Sequence, residues 1–185
     1  MKTIILYWSK SGNTERAARA IQEGFRAAGA HVTIRQLKKS DDAEDIDFFA
    51  YDLVCIGFPS YGWRPPGTVE KFLLNKFGTY GDAGFVEIGA PKVPGRNALI
   101  FCTYSGPHTG IREAVPAVLY AGQFFEHLGF TIVGEWYVVG EYHGWEEGST
   151  QGKLGDIRGR PNKDDLEKLR QDATRLVDVV EKSAS

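Results

Sequence analysis

Hydroxyl side chains, a glycine and an asparagine are concentrated between residues 9 and 14, in the segment SKSGNT. The segment lies between a short apolar run and a helical pattern, so its backbone N–H groups should surround a helix N-terminus. Hydroxyl donors and the positive end of the helix dipole favour an anion such as phosphate there, and glycine lets the backbone curve around it. The Walker A pattern GxxxxGK[ST] is absent, so the segment is not a P-loop. The pattern GxGxxG is also absent, which disfavours a dinucleotide-binding Rossmann site. The alternative is that Asn13 or Thr14 simply caps the helix.

Two aromatic side chains, Tyr61 and Trp63, lie in a turn rich in glycine and proline at residues 58–67. The turn follows a buried-strand pattern, and large aromatic side chains at such a position are costly to expose unless something flat covers them. Gly62 adds a peptide group that can reorient. This pattern favours contact with a planar ligand. The alternative is that an aromatic residue packs inward onto the next helix, as we expect of Phe58.

A third loop, TYSGPHTG at 103–110, follows another buried run and combines Tyr104 with small polar residues and glycines. Backbone N–H and C=O groups in such a loop can bind the polar edge of a heteroaromatic ring. An ordinary glycine-rich turn is the alternative. One phosphate-like loop and two aromatic loops together predict a flat ring that carries a phosphate tail.

The remaining reactive side chains give weaker signals. His143 lies in GEYHGW at 140–145, just after the last predicted strand, where it either contacts a ligand or is an ordinary surface histidine. Cys55 and Cys102 fall inside apolar runs, where a thiol usually behaves as a small hydrophobic group. Arg16 is predicted to lie on a solvated helix face. No His, Cys, Asp or Glu group has metal-ligand spacing, so no metal is predicted.

Alternating apolar and amphipathic stretches predict the elements that position these loops. Strands are predicted at 3–8, 31–37, 52–58, 97–104 and 130–139, and helices at 13–28, 68–77, 111–128 and from 163 onward. On the third helix, Val118, Leu119 and Phe125 are expected to face the core. The alternation predicts one α/β domain over residues 1–185, with a parallel sheet covered by helices on both faces. Ligands of such sheets bind outside the carboxyl ends of the strands, where all three loops lie.

The composition excludes several classes of function. The 185 residues carry 22 basic and 24 acidic side chains, a formal net charge of −2, which argues against a nucleic-acid-binding face. The apolar runs are too short for a membrane span, and the run at 4–8 is too short for a signal peptide. Two cysteines cannot build a disulfide framework, and the expected compartment is the reducing cytoplasm.

The three loops resemble those of flavodoxin-like FMN proteins, the superfamily of flavodoxins and related NAD(P)H:quinone reductases. The resemblance is carried by SKSGNT at 9–14, GFPSYGWRPPGTVEKFL at 57–73 and TYSGPHTG at 103–110. It implies a flavodoxin-like doubly wound sheet of order 2-1-3-4-5 in three α/β/α layers, with non-covalently bound FMN. The element order agrees over essentially the whole chain.

The resemblance also assigns a role to each loop. The phosphate of FMN is expected to bind to Ser9, Ser11, Gly12, Asn13 and Thr14. The isoalloxazine ring is expected to lie against Pro59, Ser60, Tyr61, Gly62 and Trp63, and its far edge against Thr103, Tyr104, Ser105 and Gly106. Tyr61 or Trp63 would form one stacking wall and Tyr104 the other. His143 is a candidate contact for a quinone-like substrate or for the reduced flavin.

Two functions of different classes fit this resemblance. The first is electron transfer to a redox partner protein, which needs only an exposed ring edge. The second is NAD(P)H-dependent reduction of a quinone-like acceptor, which needs an open pocket over the flavin, built by residues 140–150 or by a second subunit. The near-neutral charge differs from the acidic surface typical of carriers, and residues 78–96 and 140–161 are predicted to be long loops. A flavodoxin fold without cofactor is a third alternative, against which the intact SKSGNT segment argues.

Overall fold

A computed structural model of the chain describes residues 1–183, and a five-stranded parallel sheet forms its centre. The strands are β1 (Lys2–Tyr7), β2 (His31–Gln36), β3 (Leu53–Pro59), β4 (Asn97–Tyr104) and β5 (Thr131–Val139). Their order is β2-β1-β3-β4-β5, with every neighbouring pair parallel, which confirms the predicted order. Residues 184 and 185, which the prediction of one domain includes, lie outside the described residues.

Helices cover both faces of the sheet, so the fold has the predicted three layers. They are α1 (Asn13–Ala27), α2 (Gly67–Asp82), α3 (Val115–His127), α4 (Glu146–Thr150) and α5 (Lys163–Ser183). Alternate residues of a strand point to opposite faces. Accordingly, Ile4 and Leu6 of β1 belong to the core under α2 and α3, whereas Ile5 and Tyr7 belong to the core under α1 and α5. Both cores are apolar because both faces of the sheet are buried.

Two glycines allow close packing, one between neighbouring strands of the sheet and one between two helices. A Cβ atom on Gly57 of β3 would lie 1.9 Å from the ring of Phe101 on β4. A Cβ atom on Gly24 of α1 would lie 2.3 Å from the carbonyl oxygen of Arg170 on α5. A side chain at Gly57 would displace the Phe101 ring, and one at Gly24 would force α1 and α5 apart, so Gly24 fixes the spacing of the helix pair.

Helix α2 is longer than the sequence predicts, and the predicted loop at 78–96 is shorter. The helix continues through Gly78 and Gly81 to Asp82, although glycine in a helix costs about 1 kcal/mol relative to alanine. Tertiary anchoring explains the extension, because Tyr80 is buried and its hydroxyl accepts a hydrogen bond from the Phe48 N–H group at 2.6 Å.

Two further predictions about helices are wrong in detail. Leu119 is exposed, whereas Val118 and Phe125 are buried. Each helical residue turns by about 100°, so Leu119 points away from the face that Val118 presents to the sheet. The predicted loop at 140–161 contains helix α4 (Glu146–Thr150), which is too short to produce a periodic pattern.

Among residues 1–183, no helix is long and apolar enough to cross a membrane. In the same residues, no group of three or more His, Cys, Asp or Glu side chains could hold a metal ion. Cys55 and Cys102 are both buried, and burial raises the pKa of each thiol. Both therefore stay protonated at neutral pH and behave as the small apolar groups that the sequence predicts.

Candidate functional site

A cavity of about 860 Å³ opens at the carboxyl edge of the sheet. This volume is toward the upper end of the roughly 300–1,000 Å³ of small-molecule and cofactor sites. The cavity is lined by all three loops that the sequence singles out, at residues 9–14, 59–63 and 103–109, and by a further stretch at 140–145. We call residues 140–145 the wall segment. The sheet topology thus brings together the three loops predicted to form one site.

The first loop turns into helix α1 at Gly12, whose φ is +91°. The Gly12 N–H group donates to Ser9 Oγ at 3.2 Å, which closes the turn. Gly12 is the N-cap of the helix, and no side chain makes a capping hydrogen bond there. Asn13 and Thr14 therefore do not cap the helix, which is the alternative to a phosphate-binding role. Ser9, Ser11, Asn13 and Thr14 line the cavity, as does Lys10, whereas Gly12 shapes the turn without lining it.

The start of α1 offers donors to an anion in the cavity. The first N–H groups of a helix have no acceptor within the helix, and in α1 these belong to Asn13, Thr14 and Glu15. The Thr14 side chain is buried, with Oγ1 2.8 Å from Oγ1 of Thr103 on β4. Thr103, which is expected to contact the far edge of a ring, lines the cavity, and its hydroxyl also contacts the first loop. Unsatisfied N–H groups beside a hydroxyl are the donor set that a phosphate requires.

The second loop forms a tight turn that presents its aromatic side chains to the cavity. Within it, the Tyr61 N–H group donates to Arg64 O at 2.9 Å, and the Arg64 N–H group donates to Tyr61 O at 3.2 Å. Gly62 and Trp63 both have positive φ, +54° and +66°, a conformation that is rare for a bulky side chain and typical of functional sites. Tyr61 is 46% exposed and Trp63 64% exposed, whereas Phe58 is buried as predicted.

The start of the second loop is fixed by bonds to its neighbours. Pro59 ends β3, and the Ser60 N–H group donates to Thr103 O at 2.9 Å. The Ser60 hydroxyl donates to the Glu113 carbonyl oxygen. Both Pro59 and Ser60 line the cavity. The ring of Trp8 packs edge-to-face against Tyr61 with centroids 5.7 Å apart, which supports Tyr61 from behind.

The third loop adds a half-buried phenol and a second tight turn. Tyr104 lines the cavity, and burial raises the pKa of its hydroxyl, which therefore remains a donor at neutral pH. Ser105 Oγ donates to Gly140 O at 2.7 Å and so is bonded to the wall segment. Gly106 has φ +54°, and a Cβ atom there would lie 2.6 Å from Gly110 O. Glycine is therefore required at this position.

Glu113 is a site residue that the sequence reasoning missed. Its Oε1 accepts the N–H groups of His108 at 2.9 Å and Thr109 at 2.7 Å, which closes the third loop. Its carbonyl oxygen accepts the Ser60 hydroxyl, so Glu113 connects the second and third loops. A carboxylate shortly after a glycine-rich turn is the only signal that the sequence offers for this role.

The wall segment adds further aromatic and polar side chains to the cavity lining. Within the segment, the ring of Trp145 packs edge-to-face on Tyr142 with centroids 5.2 Å apart. The centroid of the same ring lies 6.0 Å from that of His108. Helix α4 supports Trp145 from outside, because a Cβ atom on Gly148 would lie 2.4 Å from that ring. His143 also lines the cavity and is 43% exposed. The wall segment is therefore aromatic and polar.

Asn13 and Arg16 attach the wall segment to the first loop. Asn13 Nδ2 donates to Glu141 O at 3.0 Å, and Asn13 Oδ1 accepts from Arg16 at 2.9 Å and lies 3.2 Å from His143 Nε2. The Arg16 guanidinium also donates to the carbonyl oxygens of residues 160 and 161, each at 3.0 Å. Arg16 is exposed, as expected of a solvated helix face, and its guanidinium additionally connects α1 to residues 160 and 161. The periodicity of α1 could not reveal these partners, since they lie far away in the sequence.

The charges around the cavity are mixed in sign. Lys10, His108 and His143 line it together with Glu113 and Glu141. A strongly acidic rim of the kind that steers a carrier to basic partners is thus absent from the cavity lining described in residues 1–183. The site can hold one anionic group at the first loop and still accept a neutral molecule beside the wall segment.

The structure is a doubly wound α/β protein whose cavity lies at the switch point of the sheet, with helix N–H donors and exposed aromatic side chains in its lining. The family model for flavodoxin matches residues 5–171. The chain therefore belongs to the flavodoxin family.

Individual relatives carry two kinds of name. An NAD(P)H dehydrogenase (quinone) of Rhizobium johnstonii is 26% identical, with 99% of each chain covered. A flavodoxin of Megasphaera elsdenii is 30% identical over 54% of this chain and 63% of its own. Among solved structures, a WrbA-like protein from Agrobacterium tumefaciens has a TM-score of 0.63 at 18% identity and covers 98% of both chains. Flavodoxin 1 from Bacillus cereus has a TM-score of 0.64 at 16% identity, covering 96% of this chain and 98% of its own.

These comparisons confirm the predicted family and the predicted cofactor. The protein is a flavodoxin-like redox protein, and its cofactor is FMN. The site fits this molecule, because the first loop offers N–H and hydroxyl donors to a phosphate, while the exposed rings of Tyr61 and Trp63 and the half-buried Tyr104 offer surfaces to a flat ring system.

Proposed function

We propose that the protein is an FMN-dependent oxidoreductase that passes two electrons from NAD(P)H to a quinone-like acceptor. The observation that carries this proposal is the wall segment, which adds Tyr142, His143 and Trp145 to the lining of the 860 Å³ cavity that the three flavin loops share. A carrier needs only an exposed flavin edge, whereas an enzyme needs room for a second planar molecule. The full-length similarity to NAD(P)H dehydrogenases (quinone) supports the same function.

The three loops would hold the cofactor in the arrangement that the family resemblance implies. The first loop would bind the phosphate through Ser9, Ser11, Thr14 and the N–H groups at the start of α1, with Gly12 shaping the turn. Pro59, Ser60, Tyr61, Gly62 and Trp63 would line one side of the ring, and Tyr104, Ser105 and Gly106 the other edge. Bound FMN would supply the redox chemistry, while the protein supplies orientation and electrostatics.

The wall segment would bind the acceptor beside the ring. Trp145 and Tyr142 offer aromatic surface, and stacked or edge-to-face aromatic pairs are each worth about 0.5–1.5 kcal/mol beyond their buried area. His143 offers a ring nitrogen to an acceptor oxygen, which is the substrate contact that the sequence suggests. The first two residues of the segment are held by both neighbouring loops, since Asn13 donates to Glu141 O and Ser105 donates to Gly140 O. Its position therefore depends on the flavin loops themselves.

Electron transfer to a partner protein is the second candidate function. It is favoured by the exposure of Tyr61 and Trp63 at the rim, which leaves room for a partner to approach the ring edge. In that case the wall segment would form part of a docking surface rather than a substrate site.

We also propose that the described residues form one domain and that the protein works in the reducing cytoplasm. Both cores share the same sheet, which supports one folding unit. The two cysteines are free and buried, as is usual for a protein that keeps its thiols reduced.

Stopped-flow spectroscopy of the FMN-loaded protein separates the two candidates. An oxidoreductase loses its visible flavin absorbance on mixing with NADH or NADPH, and regains it when a benzoquinone is added. The proposal is contradicted if neither nicotinamide reduces the flavin while dithionite does. A one-electron-reduced form that accumulates during dithionite titration would then favour the carrier.

The wall segment is tested by the variant Trp145→Ala. Loss of one aromatic contact of about 0.5–1.5 kcal/mol should raise the KM for a quinone about 2- to 12-fold. Leu119→Ala is the control, because Leu119 is also exposed and apolar but lies on α3 outside the cavity. Equal KM values in the two variants would remove Trp145 from the acceptor site.

A further inference from the structure

We propose that Arg16 is a positioning residue which, through Asn13, sets the ring nitrogen of His143 that exchanges a proton with a ligand in the cavity. This inference rests on the proposed function for its substrate, a quinone-like acceptor. It concerns an exposed side chain on α1 that does not itself line the cavity.

The orientation of the Asn13 amide is fixed by two hydrogen-bond partners, one of which can only donate and the other only accept. Arg16 can only donate, so the atom it contacts at 2.9 Å must be the amide oxygen. The carbonyl oxygen of Glu141 can only accept, so the atom 3.0 Å from it must be the amide nitrogen. The two contacts agree, and the amide cannot be reversed without losing both bonds.

The fixed amide in turn fixes the tautomer of His143. Nε2 of His143 lies 3.2 Å from Asn13 Oδ1, which is an acceptor. Nε2 must therefore carry a hydrogen, and the neutral ring has its lone pair on Nδ1. Proton exchange at His143 is thus confined to Nδ1.

The surroundings of Nδ1 suit proton exchange. Nδ1 lies 4.0 Å from Glu141 Oε1, so the imidazolium form would face a carboxylate. Lys10, His108 and Glu113 are further titratable groups of the same cavity lining, and Arg16 acts on His143 through Asn13. Because the His143 side chain is 43% exposed, water can restore a proton that the ring gives up.

The chemistry of the proposed acceptor needs such a proton. Reduction of a quinone to a hydroquinone consumes two electrons and two protons, and a reduced nicotinamide supplies both electrons and one proton as hydride. The second proton would pass from Nδ1 of cationic His143 to a quinone oxygen. The N–H bond breaks, an O–H bond forms, and the neutral imidazole then takes a proton from water.

Arg16 is suited to hold this arrangement because it has three acceptors at once. Its planar guanidinium donates to Asn13 Oδ1 and to the carbonyl oxygens of residues 160 and 161. Without Arg16, rotation of the amide would lose only the bond to Glu141 O and would let Nδ2 donate to Nε2. The proton would then move to Nδ1, facing Glu141, and both tautomers would be populated.

Long-range ¹H–¹⁵N NMR spectra of the full chain test the tautomer without any redox reaction. The chain has four histidines, and His143→Gln assigns the signal of interest. At a pH where the ring is neutral, we expect the wild-type His143 to be the Nε2–H tautomer, and Arg16→Ala to show both tautomers. Arg19→Ala is the matched control, since Arg19 lies one turn further along α1, donates to Glu15 and does not contact Asn13 within residues 1–183. A wild-type Nδ1–H tautomer, or no change in Arg16→Ala, would overturn the proposal.

Steady-state kinetics add a second measurement, the pH profile of kcat, which would not change if Arg16 only stabilised the fold. With FMN saturating, Arg16→Ala should lower kcat for a benzoquinone about tenfold and shift its pH profile, with a smaller change in KM, since general acid catalysis contributes about 10²–10⁴-fold in all. Arg16→Lys should recover part of the loss, because one ammonium group replaces only part of the fork. If Arg16→Ala fails to fold, the wild-type spectrum and Arg16→Lys still decide.

The two proposals fail in different ways. Absence of NAD(P)H:quinone turnover in the wild type would contradict the proposed function but leave the tautomer result intact. If the wild type turns over, an unchanged tautomer and an unchanged pH profile in Arg16→Ala would contradict the role of Arg16 alone.

Discussion

Replacing Thr14 with valine tests the phosphate role of the first loop most sharply. Valine keeps the shape of the buried side chain but removes the hydroxyl, whose Oγ1 lies 2.8 Å from Thr103 Oγ1. If Thr14 donates to the FMN phosphate, Thr103 donates to Thr14, and the substitution breaks both bonds. A hydrogen bond to a charged group is worth about 1.5–3 kcal/mol. The dissociation constant for FMN should therefore rise about 10- to 150-fold.

The assay is titration of the cofactor-free protein with FMN, followed by quenching of flavin fluorescence. Thr14→Ser keeps the hydroxyl and should recover most of the affinity. Thr14→Val should also unfold at lower denaturant concentration, because it leaves the buried Thr103 hydroxyl without its partner. An FMN affinity of Thr14→Val equal to that of the wild type would refute the assignment of this loop to the phosphate.

Thr3→Val is the matched control, with the same chemical change at a buried site far from the cavity. Thr3 Oγ1 is buried without a hydrogen-bond partner among residues 1–183. Removing an unsatisfied hydroxyl should raise the free energy of unfolding by about 1 kcal/mol and leave FMN affinity unchanged. A loss of affinity in Thr3→Val would show that a Thr→Val change weakens FMN binding through general effects on the fold.

Three further predictions follow from single contacts. Gly57→Ala should lower the free energy of unfolding, measured in urea, by about 1–3 kcal/mol, because the new Cβ would lie 1.9 Å from the Phe101 ring. Unchanged stability would mean that the sheet adjusts freely. Gly140→Ala should raise the KM for a quinone more than it raises the dissociation constant for FMN. The new Cβ would lie 2.7 Å from Asn13 Nδ2 and would displace the wall segment. Equal changes in both constants would contradict this prediction. The N–H groups of Lys39 and Lys38 hold the pKa of Asp42 below its usual value of 3.8, so its contribution to stability is present above about pH 4 and is lost as the pH falls through the lowered pKa. Asp42→Asn should flatten that part of the stability–pH curve, and an identical curve would exclude this contribution.

The sheet and the three loops could be predicted because each rests on a local signal. Buried runs such as 97–104 are continuous and apolar, and the polar, glycine-rich stretch after each strand is short and distinct. The rule that parallel strands bring their carboxyl ends to one edge then places the loops together. Asn13, Tyr61 and Tyr104 therefore reach the cavity as the sequence alone suggests.

The parts that escaped prediction depend on contacts distant in the sequence. The partners of Arg16 at residues 160 and 161 lie more than 140 positions away, and no helical periodicity reveals them. The extension of α2 past Gly78 depends on the burial of Tyr80 against Phe48. The positive φ of Trp63 is likewise a property of the closed turn and contradicts the ordinary preference of an aromatic residue.

The relative affinities for FMN and riboflavin measure how much the first loop contributes to cofactor binding. The two molecules share the ring and differ only in the phosphate, which the account assigns to residues 9–14 and the start of α1. Titration of the cofactor-free wild type should give an affinity for FMN at least about 100-fold higher than for riboflavin, as expected if several donors bind one phosphate. Equal affinities would contradict the account, since the first loop would then contribute nothing to cofactor binding.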